Sequence, residues 1–180
     1  LAKIQAASSA LTTLQCSFTQ DKEIAILSEK VISKGTLLYK KENKLRWEYE
    51  TPYFYLFAMN GDKVYIKNDK STKQFDTKSN ALFKEISILL INTINGAGLI
   101  DSKKFDAVFF DNSKTLKVQL SPKDKSLKNM FKTVVMYFDK TSYQVHTIEM
   151  TEPSGDLTTI AFTAVKLNQQ IADEKFVVNK

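Results

Sequence analysis

Apolar and polar side chains alternate through most of this chain, and this period of two constrains the fold more than any other feature. Residues 45–50 read Leu-Arg-Trp-Glu-Tyr-Glu, which is typical of a half-buried strand. One strand or two are predicted between 18 and 31. Further strands are predicted at 36–41, 53–59, 63–67, 105–110, 115–120, 133–139, 144–152, 157–166 and 176–178. This spacing predicts about nine to eleven antiparallel strands.

Helical spacing is confined to two parts of the chain. Residues 1–15 and 80–94 carry apolar side chains three or four positions apart, and a short helix is expected over 99–104. The polar segment 68–79 is expected to be a loop. These helices are too few to cross over between every pair of strands, which argues against a doubly wound fold. We predict one domain over 1–180, mainly β with some α, in which a strongly curved antiparallel sheet is covered by helices on its concave face.

The composition excludes several classes of site. Cys16 and His146 are the only cysteine and histidine, so an internal disulfide, structural zinc and iron–sulfur clusters are not expected. The net charge of +6 comes almost entirely from lysine, and Arg46 is the only arginine. Because base reading usually depends on bidentate arginine, no nucleic-acid partner is expected. The apolar run 86–91 is too short to span a bilayer.

No arrangement of residues predicts catalysis. A Ser-His-Asp triad would need His146, which the strand pattern places on one face with Ile148 and Met150. The glycines near residue 96 follow a helix rather than join a strand to one, so they do not predict a phosphate site. We expect no enzymatic activity, no cofactor and no metal.

The abundance of apolar strand surface is the remaining signal. Residues 53–59 are apolar on both strand faces, which fits either an ordinary core or a cavity for acyl chains. The candidate cavity residues are Leu45, Trp47, Tyr49, Tyr55, Phe57, Met59, Phe83, Ile86, Leu89, Leu90, Met136, Phe138, Ile148, Met150, Ile160 and Phe162.

Several ordered segments resemble one family. Phe18-Thr19-Gln20, the run from Gly35 to Tyr39, the run from Leu45 to Tyr49, Pro52 and Asn60-Gly61 look like the outer-membrane lipoprotein carrier (LolA) family. The C-terminal half continues the resemblance with Leu120-Ser121-Pro122, the run from Phe131 to Phe138, the run from Gly155 to Ile160, Asn168 and Phe176.

This resemblance implies an incomplete β-barrel with a helical lid and a hydrophobic cavity. It also implies a periplasmic monomer that shuttles lipoproteins from an inner-membrane lipoprotein-releasing transporter to an outer-membrane acceptor, without stable membrane insertion. The chain begins at Leu1, and we expect that a signal peptide has been removed. The lid would comprise 1–15 and 80–104.

One departure from the family concerns the lid. The family commonly carries Arg-Pro after the strand that begins at Gly35, and that arginine helps to hold the lid closed. Lys41-Glu42 stands there in this chain. Lysine donates as a point charge rather than as a fork, so Lys41 and Arg46 are both candidates for the lid latch.

Three alternatives remain open at this stage. The same fold could serve as a periplasmic lipid- or glycolipid-binding module, such as a sensor. An enzyme acting on lipids would need a serine or aspartate beside His146. A structural interaction domain would use all of its aromatic residues as core.

Overall fold

The computed structural model describes residues 2–79, 91, 94 and 104–178. The described elements are α1 (Ala2–Ala10), β1 (Thr13–Ile24), β2 (Glu29–Lys40), β3 (Lys44–Thr51), β4 (Tyr55–Asn60), β5 (Lys63–Asn68), β6 (Thr72–Asp76), β7 (Phe105–Asp111), β8 (Leu116–Pro122), α2 (Lys125–Met130), β9 (Thr133–Phe138), β10 (Val145–Thr151), β11 (Leu157–Leu167) and a 3-10 helix (Asp173–Phe176).

The strands form an 11-stranded antiparallel sheet in the order β6-β5-β4-β3-β2-β1-β11-β10-β9-β8-β7. Most neighbours in this order are also neighbours in sequence, which short turns between antiparallel strands allow. Within the described residues the sheet has two edge strands, β6 and β7, and is therefore not closed. The predicted mainly-β class is confirmed.

The chain divides into two compact units. Unit 1 comprises 1–10, 19–32 and 92–162, and unit 2 comprises 11–18, 33–91 and 163–180. β1, β2 and β11 each contribute residues to both units.

The core of unit 1 lies on one face of β8 to β11. Ile148 of β10 is paired with Met136 of β9 on one side and with Ile160 of β11 on the other. These three side chains are 1%, 0% and 3% exposed. Paired residues share a sheet face, so they form a continuous apolar surface. Ile4 of α1, 1% exposed, is also buried in this unit.

The core of unit 2 occupies both faces of β4. Phe57 and Met59 are buried on one face, and Leu56 and Ala58 are buried on the other. The 3-10 helix packs against β3 and β4, and its Phe176 is 0% exposed. A strand buried on both faces reads as a continuous apolar run, which explains the apolar residues at 56–59.

Three predicted elements are wrong in type or extent, and one observed helix is not predicted. The helix predicted over 1–15 ends at Ala10, and β1 begins at Thr13 because Leu14, Cys16 and Phe18 alternate on one buried strand face. The loop predicted over 68–79 contains β6, whose pattern is mostly polar since it lies at an edge. The segment after Pro122, for which no element is predicted, contains α2, which Asp124 caps. The strand predicted at 176–178 is not formed, because Phe176 is the last residue of the 3-10 helix and 177–178 have no regular structure.

The predicted helix over 80–94 and the short helix over 99–104 lie outside the described residues, apart from Ile91, Ile94 and Lys104. Ile91 and Ile94 are helical, and Lys104 lies in a turn.

Candidate functional site

The strongest candidate for a ligand-binding surface is one apolar sheet face in unit 2. The register places Leu37, Trp47, Phe57 and Ile66 side by side across β2 to β5. A neighbouring row comprises Tyr39, Leu45, Met59 and Val64. Because paired residues point to the same side, sequence alternation in each strand becomes a single apolar surface. We call these two rows, with the aromatic cluster described next, the unit 2 apolar face.

Aromatic rings meet at one side of this face. The ring centroid of Phe18 lies 5.4 Å from that of Trp47 and 5.0 Å from that of Tyr49, and Tyr49 lies 6.1 Å from Tyr55. The Phe18–Tyr49 and Tyr49–Tyr55 pairs are close to edge-to-face, an arrangement that aromatic quadrupoles favour. Strands that are far apart in the sequence thus contribute to one cluster.

Gly35 makes room for this cluster. A Cβ atom there would lie 1.9 Å from the backbone oxygen of Glu48 and 2.8 Å from Cζ of Phe18. The register between β2 and β3 shifts between Lys34 and Gly35, directly opposite Tyr49. The close strand approach and the Phe18 ring therefore both require glycine at this position.

Exposure increases across the aromatic cluster. Phe18 is 2% and Trp47 5% exposed, Tyr49 is half-buried, and Tyr55 is 39% exposed. Burial raises the pKa of Tyr49 to about 12 and also raises the pKa of Tyr55. Both hydroxyls therefore stay neutral at physiological pH, so the cluster presents an uncharged apolar surface that extends toward solvent.

The opposite face of the same strands binds the C-terminal segment. Lys40 Nζ and Lys44 Nζ lie 2.6 and 2.8 Å from the carboxylate oxygens of Asp173. Lys40 also donates to the backbone oxygen of Ile171 at 3.1 Å. Hydrogen bonds from the two lysines, Lys40 first, lower the pKa of Asp173 to about 2. These contacts hold the segment that covers Leu56 and Ala58.

The two predicted latch residues occupy different environments. Arg46 Nε donates to Glu48 Oε2 at 2.7 Å, and its Nη1 donates to the backbone oxygen of Lys175 at 3.4 Å. Arg46 therefore lies on the face that binds the C-terminal segment. The backbone N–H of Lys41 donates to the oxygen of Thr12 at 2.8 Å. The second predicted lid segment lies outside the described residues, so the latch stays a prediction.

The predicted cavity residues in unit 1 lie on its buried strand face. Met136, Phe138, Ile148 and Ile160 are at most 3% exposed. Met150 and Phe162 are half-buried. In unit 2, Leu45, Trp47, Phe57 and Met59 are buried, as described above. The predicted helix residues Phe83, Ile86, Leu89 and Leu90 lie outside the described residues.

α1 is attached to unit 1 by polar contacts as well as by its buried side chains. Lys3 Nζ lies 3.1 Å from the Tyr143 hydroxyl and 5.3 Å from the centre of its ring. Gln144 Nε2 donates to the backbone oxygen of Ala7 at 3.4 Å. α1 is the helical part of the predicted lid segment 1–15, and these contacts fix where it lies in this unit.

His146 does not share a face with Ile148, contrary to the sequence analysis. The strand register shifts between Val145 and Thr147, so Val145 and Ile148 are buried whereas His146 is exposed. Its Nδ1 lies 2.8 Å from the Thr147 hydroxyl oxygen. An extra residue in a bulge reverses the alternation that the sequence analysis assumed.

The described residues offer little for other chemistry. Among them, no three His, Cys, Asp or Glu side chains converge as a metal site would require. Burial raises the pKa of Cys16 to about 12, so its thiol stays protonated. Within the same part of the chain, none of the helices has the length and hydrophobicity needed to cross a membrane.

Several members of these surfaces were absent from the predicted site. Phe18, Leu37, Tyr39 and Val64 belong to the unit 2 apolar face, and Ile171 and Phe176 cover its reverse. Alternation at 35–39 identifies Leu37 and Tyr39 as buried in a strand. Only the strand register shows which residues they lie beside.

Comparisons with known proteins agree with this architecture. The model of the family described as outer membrane lipoprotein carrier protein LolA matches residues 9–179. No curated protein matches the chain.

Three solved structures share the fold at low sequence identity. A LolA superfamily protein from Nitrosomonas europaea is 11% identical, with 99% of this chain and 96% of that chain covered and a TM-score of 0.50. The lipoprotein LppX of Mycobacterium tuberculosis is 9% identical, with 95% and 94% covered and a TM-score of 0.54. An uncharacterized conserved protein from Thermus thermophilus is 8% identical, with 97% and 88% covered and a TM-score of 0.58.

Proposed function

This chain belongs to the outer membrane lipoprotein carrier (LolA) family, and from this premise we propose that it is a periplasmic carrier of lipoproteins. It binds their acyl chains at the unit 2 apolar face and carries them from an inner-membrane transporter to an outer-membrane acceptor. The protein acts by binding and release rather than by catalysis.

The observation that supports this proposal is the gradient of exposure through the aromatic cluster. Tyr55, 39% exposed, adjoins the half-buried Tyr49, which adjoins the buried Phe18 and Trp47. A hydrocarbon chain that first contacts Tyr55 would therefore reach apolar side chains of progressively lower solvent exposure. Burial of each CH₂ group contributes about 0.8 kcal/mol, which is sufficient for capture by a surface without any charged partner.

Release limits how strongly such a carrier binds. Several long acyl chains buried completely would approach the limit of roughly −20 kcal/mol for non-covalent affinity. A carrier at that limit would release its cargo too slowly to transfer it. We therefore propose partial burial of the acyl chains, with displacement of the lid opposing part of the gain. Transfer then requires an acceptor with higher affinity.

A matched pair of tyrosine variants tests the assignment of the face. Tyr55→Glu places a charge on the unit 2 apolar face, whereas Tyr53→Glu places the same charge at a position that is 79% exposed and precedes β4. We expect Tyr55→Glu to weaken binding of a fluorescent acyl probe by at least about tenfold, because ligand would have to desolvate a carboxylate. Tyr53→Glu should bind like the parent. Equal affinities in all three proteins would refute the proposed face.

Substitutions at deeper positions extend this test. Phe57→Glu in β4 and Leu90→Glu in the predicted lid should abolish acyl-probe binding and leave much of the sheet intact by far-UV circular dichroism. If both variants bind as tightly as the parent, there is no acyl-binding cavity at these positions.

The identity of the natural ligand separates the carrier from a lipid-binding module. Native mass spectrometry of protein isolated from its source should detect acylated polypeptide. Free lipid or glycolipid as the dominant ligand would instead support the alternative of a lipid-binding or sensor module.

A further inference from the structure

The connection between β1 and β2 exposes an unusual concentration of apolar side chains. Every residue from 25 to 32 is exposed. Ile26 is 91% exposed, Leu27 59%, Val31 41% and Ile32 56%. Val31 and Ile32 point to opposite sides of β2, so both faces of the hairpin end are open to solvent. We call residues 25–32 the hairpin tip. It lies entirely within unit 1.

The hairpin tip has a defined structure. The backbone N–H of Leu27 donates to the oxygen of Ile24 at 3.1 Å, which closes the turn. The backbone N–H of Ala25 donates to Asp156 Oδ1 at 3.0 Å. Gly155 lies beside Ala25, since a Cβ atom added at this glycine would be 3.5 Å from Cβ of Ala25. The turn between β10 and β11 therefore supports the tip from one side. The apolar side chains are therefore carried by a hydrogen-bonded turn rather than by an unstructured loop.

The charges beside the hairpin tip pair with each other. Lys22 Nζ lies 2.8 Å from Glu152 Oε1 and 4.0 Å from Asp156 Oδ2. Lys30 pairs with Glu23 and lies 3.8 Å from Asp21 Oδ2. The turn from Ala25 to Ser28 itself carries no charge. The apolar turn can therefore leave water without separating a lysine from its carboxylate.

We propose that the hairpin tip docks this protein on the surface of a zwitterionic lipid bilayer. Four side chains of this size cover well under the about 800 Å² per partner of a standard protein interface, which argues against a second copy or another folded protein as a stable occupant. A bilayer requires no complementary groove, since apolar side chains enter the boundary between headgroups and acyl chains one by one.

The acidic residues around the hairpin tip favour neutral over anionic lipid. Asp21, Glu23, Glu29, Glu152 and Asp156 outnumber Lys22 and Lys30. This local excess of negative charge repels an anionic surface, although the whole chain carries +6. The proposed contact is therefore apolar in origin, strongest on neutral lipid, and weakly dependent on salt.

Flotation with phosphatidylcholine vesicles tests the proposal in the absence of cargo. Ile26→Asp should lower the bound fraction at least about tenfold, because an inserted isoleucine is replaced by a carboxylate. Val108→Asp is the matched control, since Val108 lies elsewhere in unit 1 and is 51% exposed. It should bind like the parent. Adding about 30% phosphatidylglycerol should weaken binding of the parent.

An inserted fluorophore measures the contact directly. Ile26→Trp should bind vesicles at least as well as the parent, and brominated phosphatidylcholine should quench its fluorescence. The parent supplies the background, because its single tryptophan, Trp47, is 5% exposed. Quenching no greater than in the parent would overturn the proposal.

Two other results would also overturn it. One is vesicle binding by Ile26→Asp that equals that of the parent. The other is a change of oligomeric state on Ile26→Asp in sedimentation velocity without any effect on vesicles, which would assign the tip to a second copy. Tyr55→Glu should bind vesicles as the parent does, because it leaves the hairpin tip unchanged. Vesicle binding therefore tests the hairpin tip separately from acyl-probe binding at the unit 2 apolar face.

Discussion

The apolar strand faces of both units contain fully buried side chains, and they differ in the aromatic cluster of unit 2. In unit 1, Met136 and Ile148 are 0% and 1% exposed, and the paired strands contribute mainly aliphatic side chains. In unit 2, Leu37 and Leu45 are both 0% exposed, but the aromatic cluster changes from Trp47 at 5% to Tyr55 at 39% through neighbouring rings. Complete burial is typical of a structural core, whereas a graded aromatic surface leaves apolar area for a ligand.

This difference assigns separate roles to residues that share one apolar pattern in the sequence. The described part of unit 1 provides a stable support to which α1 is attached. The described part of unit 2 provides the surface that we propose for the cargo. Stability and acyl affinity should therefore respond to different substitutions.

The largest expected effect is on the core of unit 1. Ile148→Ala should lower the free energy of unfolding by about 2–5 kcal/mol, because it removes buried methyl groups and leaves a cavity. Urea denaturation followed by circular dichroism measures this loss. Ile26→Ala is the control, since Ile26 is 91% exposed, and it should leave stability nearly unchanged.

The same variant tests whether the apolar face of unit 1 takes part in acyl binding. Under conditions where Ile148→Ala is still folded, its affinity for the acyl probe should equal that of the parent. A clear loss of affinity in the folded variant would mean that the apolar face of unit 1 also contacts the ligand.

Gly35→Ala should have the next largest effect. The added methyl group would collide with the Glu48 backbone and the Phe18 ring, so we expect a loss of roughly 1–3 kcal/mol in the free energy of unfolding. Because Phe18 contacts Trp47, the emission spectrum of this single tryptophan should also shift.

Gly61→Ala provides a matched control for the aromatic cluster. Gly61 has φ +62°, and a Cβ atom added there would have no other atom within 4 Å, so alanine adds backbone strain without a collision. It should lower stability by about 1–2 kcal/mol, the cost of a left-handed backbone for an L-residue, and leave the Trp47 emission unchanged. If Gly35→Ala behaves in the same way, the close packing around Phe18 is not what requires glycine.

The smallest effect concerns the reverse of the unit 2 apolar face. The pKa of Asp173, about 2, is lower than its ordinary value of 3.8, so the folded protein binds fewer protons there than the unfolded chain. Its contribution to stability is therefore complete above about pH 4 and is lost as the pH falls toward 2. Asp173→Asn should flatten this part of the pH–stability profile.

Denaturant titrations between pH 2 and 6 measure that slope. Asp69→Asn is a suitable control, because Asp69 is exposed and lies in the turn between β5 and β6, away from the lysines that bind Asp173. An unchanged slope in Asp173→Asn would show that the C-terminal segment is held mainly by Ile171 and Phe176 rather than by its ion pairs.

Much of the fold was predictable because alternation is a local signal. The strands that contain Trp47, Val118 and Met136 were each identified from the spacing of their apolar residues. Predictions failed where local spacing is ambiguous. Leu11 and Leu14 have helical spacing, yet Leu14 belongs to β1, and the bulge beside His146 reverses the expected faces.

The candidate site was only partly predictable. Trp47, Phe57 and Met59 were identified as members of an apolar strand face, and the structure buries all three. Phe18 was missed as a member of the cluster, because its contacts depend on strand register and on the absence of a side chain at Gly35. Phe176 was missed as core because the apolar run from 176 to 178 is too short to show a period and predicted a strand instead of the 3-10 helix.

Residue alternation alone is enough to predict antiparallel strands with abundant apolar surface, and the ordered segments indicate the family. These properties follow from the alternation and order of residues along the chain. Strand pairing in the folded protein determines which apolar residues are fully buried, which approach solvent, and which are exposed at the hairpin tip. The exposure of each residue depends on how its strand pairs with other strands. The residues next to it in the sequence carry little information about that pairing.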